Sequence, residues 1–246
     1  MNYTFISFAE GDYYKRGQQR LTRQIAAQGF TDIRNYSLSD IDPEFIERHK
    51  DIYSIPWKFQ KEKEDVATTA TFSGFCIWKP YLILKTLATM ADGDILLYMD
   101  TEDIITGPSV LKQYLQDKTT VNQGFAAINI GYPNQQWTRR DTFILMNCDT
   151  PEYWQAPQIE AGFIGIKKSW STVEFMHTWL TYNSDTRIPT QGSDSQLGEN
   201  LPGFIEHRGD QSIYSVLIKK WGIASEAYMS GPQQYGLDHR CNIRVF

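Results

Sequence analysis

Three carboxylates fall within four residues in Tyr98-Met99-Asp100-Thr101-Glu102-Asp103. Carboxylate oxygens are hard donors, and one or two of them beside phosphate oxygens can hold Mg²⁺ or Mn²⁺. Asp100 and Glu102 share a side if the backbone stays extended, which suits a metal-bound diphosphate. The alternative is an acidic loop leading into the turn at Gly107-Pro108. Asp238-His239-Arg240, near the end of the chain, offers an imidazole suited to metal and a guanidinium suited to phosphate, or a surface histidine. Glu160 opens Glu160-Ala161-Gly162-Phe163-Ile164-Gly165-Ile166, where absent side chains allow a ligand to approach. Its carboxylate would bind ligand hydroxyls, or serve only as an edge charge. Asp210 in His207-Arg208-Gly209-Asp210-Gln211-Ser212 reads first as a helix N-cap. Lys79, in Trp78-Lys79-Pro80, stands at a helix start, where the dipole disfavours an ammonium. Its charge then serves an anionic or hydroxyl-rich ligand, unless it snorkels to solvent. Trp78 reads as core, and His49 and His177 as structural.

These residues need a scaffold, and the chain supplies the pattern of one. Tyr3 to Ala9 has strand propensity and Glu10-Gly11-Asp12 breaks it before a helix with Leu21 and Ile25 on one face, ended by Gly29. A short strand near Thr31 to Tyr36 precedes Asp42-Pro43, an expected cap and first position of a helix, completing a βαβ opening. Lys79-Pro80 starts a second helical stripe through Tyr81, Leu84, Leu87 and Ala88, stopping at Asp92-Gly93. Asp94 to Met99 is too continuously apolar for a half-exposed strand and predicts one covered on both faces of a largely parallel sheet. Asp100 lies at its carboxyl end, where ligands gather in open α/β sheets. Further strands are expected at Phe125 to Ile128, Phe143 to Asn147 and Gly162 to Ile166, and helices at Ser171 to Thr181 and Asp210 to Trp221. The C-terminal Asn242-Ile243-Arg244-Val245-Phe246 reads as a strand.

Composition narrows the function classes. Hydrophobic residues at 41% and aromatics at 14% of 246 residues supply a sizeable core, so one continuous α/β domain is favoured over disorder. A formal charge of −5 argues against general binding to nucleic acid or anionic membrane. No spanning segment and no leader pattern is seen, so a cytoplasmic location is expected, with room for peripheral membrane association. Cys76, Cys148 and Cys241 fit neither a disulfide framework nor zinc spacing and read as core thiols.

Gly74-Phe75-Cys76-Ile77-Trp78-Lys79-Pro80, followed closely by Gly93-Asp94-Ile95-Leu96-Leu97-Tyr98-Met99-Asp100, resembles sugar-nucleotide glycosyltransferases of the GT-A fold, particularly those of microbial surface-polysaccharide biosynthesis. The likeness extends to the first strand, Glu160-Ala161-Gly162-Phe163 and His207 to Ser212, and so covers most of the chain. It implies a single GT-A-like (Rossmann-like) domain over residues 1–246, with 1–130 mainly binding the nucleotide sugar and 131–246 mainly forming the acceptor side and late metal or phosphate contacts. It implies a hexosyltransferase acting from a nucleoside-diphosphate sugar onto a glycan or lipid-linked acceptor, with Mn²⁺ or Mg²⁺, alone or as one domain of a larger enzyme. In that likeness Asp100 leads an Asp-x-Asp motif in which Glu102 replaces the second Asp, with Asp103 as competitor, and His239 is a third metal ligand. Lys79, Asp100 and Arg240 would bind the donor; Ala9, Tyr14 and Arg16 would border its base and phosphates, unless Arg16 is simply an exposed helix residue. Asp210 and Gln211 would face the sugar C1 and Glu160 would bind hydroxyls. Retention and inversion both stay open, since an Asp-Gln pair suits the first and a base at Asp210 or Glu160 the second. Arg139-Arg140 with Gln135, Gln136 and Trp137 reads as a solvated loop, or as an acceptor contact through stacking on Trp137. Two other classes compete: a sugar-phosphate nucleotidyltransferase, and a carbohydrate-binding domain without catalysis.

Overall fold

In the computed structural model, which describes residues 1–55, 73–105, 110–190, 194–227 and the backbone of 237–238, the apolar run Ile95–Met99 is a strand buried along its whole length. Before it come β1 (Tyr3–Phe8), α1 (Asp12–Ala27), β2 (Asp32–Tyr36), α2 (Pro43–Arg48), α3 (Lys50–Tyr53) and α4 (Trp78–Leu87), so the run itself is β3. After it come β4 (Ile104–Ile105), α5 (Leu111–Val121), β5 (Phe125–Ala126), β6 (Ile128–Pro133), α6 (Asn134–Trp137), α7 (Arg140–Leu145) and α8 (Pro151–Trp154). The remainder is β7 (Pro157–Ile159), β8 (Phe163–Lys167), α9 (Trp170–Asn183), α10 (Asp210–Lys220), β9 (Glu226–Ala227) and β10 (Leu237–Asp238).

The fold is α/β, with a central sheet ordered β2-β1-β3-β8-β5. β1 pairs in parallel with β2 and β3, while β8 runs antiparallel to both β3 and β5. Four strands therefore point one way and β8 opposes them. Side-chain alternation divides β3 between two cores. Leu96 and Tyr98 join Ile6, Trp78, Leu82 and Leu217 on one face, whereas Ile95, Leu97 and Met99 join Leu21, Ile25 and Leu115 on the other. Helices cover both faces, which explains the unbroken apolar run. A smaller sheet, β7-β6-β9, and the pair β4-β10 flank this unit.

Three local expectations are corrected. Phe143 to Asn147 is not a strand: Arg140–Leu145 is helical, with Phe143 buried and Asn147 leaving it at φ 53°. Phe125 to Ile128 is split, its first half in the central sheet and its second in the smaller one. Asp42 precedes α2 but its carboxylate does not cap that helix; it accepts from Tyr81 and, at 2.9 Å, from Lys85. Trp78 is core, stacked on Phe8 at 3.9 Å, and Cys76 and Cys148 are buried free thiols. His49 is packed against Phe45, whereas His177 lies exposed on α9. The C-terminal strand and Cys241 lie outside the described residues.

Candidate functional site

Asp100 emerges just past the carboxyl end of β3 with the parity of Leu96 and Tyr98, which turns it toward the face covered by α4. There it meets Lys79. The ammonium lies 3.0 Å from Asp210 Oδ2 and 3.6 Å from Asp100 Oδ1, and donates to the Ala161 carbonyl at 3.1 Å. Its side chain is 5% exposed, so two carboxylates and a carbonyl surround a cation that water barely reaches. The unfavourable dipole at the α4 start is thus offset inside the protein. Burial alone would lower the Lys79 pKa, but the charges of Asp100 and Asp210 outweigh it and hold the ammonium protonated.

Asp210 begins α10 as its first helical residue, so that Gly209 holds the N-cap position, and its carboxylate accepts from the backbone N–H of Gln211. The N-cap reading therefore does not hold; the carboxylate points at Lys79. Burial raises its pKa more than Lys79 lowers it. Tyr98 donates its hydroxyl to Asp100 Oδ1, and burial pushes the phenol far above its ordinary range, so it stays a donor. Tyr98 was readable only as a strand residue, although its shared parity with Asp100 was a usable signal.

The strand entry Glu160-Ala161-Gly162 threads between these groups. Ala161 N donates to Gln211 Oε1 at 3.2 Å, Gly162 N to Glu160 Oε1 at 2.7 Å, and Asp100 N to the Gly162 carbonyl at 2.8 Å. A Cβ on Gly162 would stand 2.8 Å from Glu160 Oε1 and 3.0 Å from Asp100 Oδ2. Both carboxylates thus crowd the position that a side chain at 162 would need, and only glycine lets them approach the strand entry so closely. Lys79, Asp100, Glu160, Asp210 and Gln211 are brought together around Ala161 and Gly162.

Beyond Asp100 the chain turns instead of staying extended, with Asp103 N donating to the Asp100 carbonyl at 3.1 Å. The backbone there is not extended, so the condition under which spacing alone would align Glu102 with Asp100 is not met. Glu102 accepts from the Tyr13 hydroxyl of α1 at 3.3 Å, and Arg20 holds the Thr101 and Asp103 carbonyls at 2.9 and 3.0 Å. Tyr14 is kept protonated by burial and then by the charges of Glu102 and Asp100, so both carboxylates border its surroundings. Asp103 is only 5% exposed, which leaves Glu102 as the accessible second acid. Among the described residues no group of three His, Cys, Asp or Glu is placed to hold a metal.

Ala9 is buried at the end of β1, with its N–H donating to Tyr36 O at 3.0 Å. Arg16 is exposed on α1. Glu10 accepts from Lys15 at 2.8 Å, and from Gly11 N and Leu38 N at 3.3 Å each. His239 and Arg240 lie outside the described residues. Arg139 does not sit in a solvated loop; it is buried, as is Trp137. No described helix is long and apolar enough to cross a membrane.

No protein-family model and no curated protein matches the chain. Among solved structures it is similar to a glycosyltransferase involved in glycosylation of the major capsid of PBCV-1, at 9% identity and TM-score 0.41, covering 92% of this chain and 81% of that one. It is also similar to the galactosyltransferase LgtC in complex with donor and acceptor sugar analogues, at 16% identity and TM-score 0.42, covering 91% and 72%. Likeness this loose does not bear on activity.

Proposed function

We propose that this chain is a GT-A-like glycosyltransferase that moves a hexose from a nucleoside-diphosphate sugar to a glycan or lipid-linked acceptor, in polysaccharide or glycoconjugate biosynthesis. The observation that carries the reading is the convergence of Asp100, Glu160 and the Lys79–Asp210 pair around Gly162, at the carboxyl edge of the sheet. Carboxylates beside a glycine backbone suit the hydroxyls of a sugar. In this reading residues near β1, including Ala9 and Arg16, border the nucleotide. Asp210 and Gln211 face the sugar carbon, where carboxylate charge stabilises developing oxocarbenium character. Lys79 acts on the donor through these acids, as their counter-ion, and Glu160 binds a ligand hydroxyl.

Asp100 and Glu102 would supply a hard divalent cation with part of its oxygen donors, phosphate oxygens supplying others, with His239 and Arg240 as further donor-side groups. Bound there, Mn²⁺ or Mg²⁺ supplies Lewis-acid neutralisation of the leaving diphosphate. The nucleotidyltransferase reading is disfavoured by Glu10: this carboxylate, held below its ordinary pKa by Lys15, occupies the β1–α1 connection where a triphosphate would need a basic loop.

A panel of nucleotide sugars, assayed for hydrolysis and transfer with and without Mn²⁺, tests the reading. Metal-dependent turnover of at least one donor is expected. Binding of free glycans without any nucleotide binding in calorimetry would instead establish the carbohydrate-binding alternative. Gly162→Ala provides a local check, because the added methyl enters the space between Glu160 and Asp100. Donor KM should rise about tenfold with little change in melting temperature, since a small shape mismatch in a pocket is worth ~1–3 kcal/mol. An unchanged KM would place the donor elsewhere.

A further inference from the structure

Residues 184–209 join α9 to α10 without a helix or strand among the described ones. Connections of this length in compact proteins are uncommon, and an ordered one needs anchors of its own. This one is held by a buried polar cluster at the start of α7. The Arg139 guanidinium pairs with Asp141 Oδ2 at 3.2 Å, and donates to Arg187 O at 2.5 Å and Thr190 O at 3.2 Å. Asp141 accepts from Ser195 Oγ at 2.6 Å, Gln196 N at 3.0 Å and Leu197 N at 2.8 Å. His207 takes the Arg139 N–H on Nδ1 at 3.2 Å, which leaves the proton on Nε2 to donate to Ile188 O at 2.7 Å. Burial, followed by the Arg139 charge, pushes this imidazole down to about 3, so the neutral tautomer persists.

The strap so held leads straight into the site. Pro189 O stands 3.1 Å from where a Cβ on Gly209 would lie, and Gly209 has φ 56°, a left-handed value suited to glycine. Arg208 N and Ser212 Oγ both donate to Trp137 O, at 3.1 and 2.6 Å, while Trp179 Nε1 holds the Asp210 carbonyl at 3.1 Å. The backbone on both sides of Asp210 is therefore fixed by Trp137, by Trp179 of α9 and by the strap.

We infer that Arg139, Asp141 and His207 are positioning residues, which lock residues 187–190 and 194–209 ahead of α10 so that Asp210 reaches Lys79 and Gln211 reaches Ala161. This rests on the proposed glycosyl transfer for its kinetic readout. Small displacements of groups at a reacting centre lose large factors in rate, whereas a purely structural anchor lowers stability alone.

The test uses Arg139→Lys, which keeps charge but loses the planar fork, and His207→Gln, each compared with the wild-type chain well below its melting temperature. With the donor found in the panel, kcat should fall about tenfold or more while donor KM stays within about twofold. Amide hydrogen exchange at 208–213 should quicken while that of β3 does not. Unchanged kcat in both folded variants overturns the inference, even if both melt earlier. If the wild-type chain turns over no nucleotide sugar, the functional reading fails by itself, and exchange decides this one: unaltered protection at 208–213 overturns it.

Discussion

Asp100→Ala should abolish donor turnover, by about 100-fold or more, while leaving the melting temperature within a few degrees of wild type. The two expectations have separate causes. Asp100 is 44% exposed, and removing it leaves Lys79 still paired with Asp210 at 3.0 Å, so no buried charge is stranded. What disappears is the acceptor of the Tyr98 hydroxyl and one of the carboxylates beside Gly162. Mutation of a group that stabilises transition-state charge costs ~3–4 kcal/mol of barrier, far above the ~1 kcal/mol expected for one half-exposed hydrogen bond. Hydrolysis of the best donor and a thermal melt measure both. A variant that melts far earlier, or that turns over normally, would make Asp100 a structural residue.

The scaffold around that residue was largely legible because one local pattern, five apolar residues closed by Asp100, has few solutions. A strand buried on both sides must lie inside an α/β sheet, and Leu96 and Leu97 occupy opposite cores as this demands. Phe143 to Asn147 failed for the complementary reason. A short apolar run bounded by polar residues satisfies helix and strand alike, and only packing, with Phe143 buried from α7, decides. The site was legible as a set of residues but not as a set of partners. Lys79 was read as a ligand-facing charge because its helix start is visible in sequence, whereas Asp210 lies far along the chain and nothing local links the two. Arg139 shows the same limit: next to Arg140 it looks like a solvated pair, and its burial depends on a strap that begins nearly fifty residues later. The turn after Asp100 was missed because an i to i+3 hydrogen bond competes with extension in any short polar stretch.

Lys79→Met probes the charge balance itself. One buried ammonium faces two carboxylates, of which Asp100 can use solvent but Asp210, at 11% side-chain exposure, cannot. Removing the cation strands Asp210, and breaking one side of a buried pair typically costs ~3–5 kcal/mol, here a fall of about 10 °C in melting temperature. Activity should be lost as well. The double variant Lys79→Met/Asp210→Asn removes both charges, so most of the stability should return while turnover does not. pH separates the two cases further. Burial already raises the Asp210 pKa against the pull of Lys79, and without Lys79 it must climb further. A carboxyl with a folded pKa above its unfolded value binds its proton more tightly when folded, so stability is present below the unfolded pKa and falls as pH rises from about 4 toward the folded one. Lys79→Met alone should therefore melt higher at pH 4.5 than at pH 7 relative to the double variant, whose amide does not titrate. Equal melting of Lys79→Met and wild type at pH 7 would mean that the ammonium is not what holds Asp210 in place.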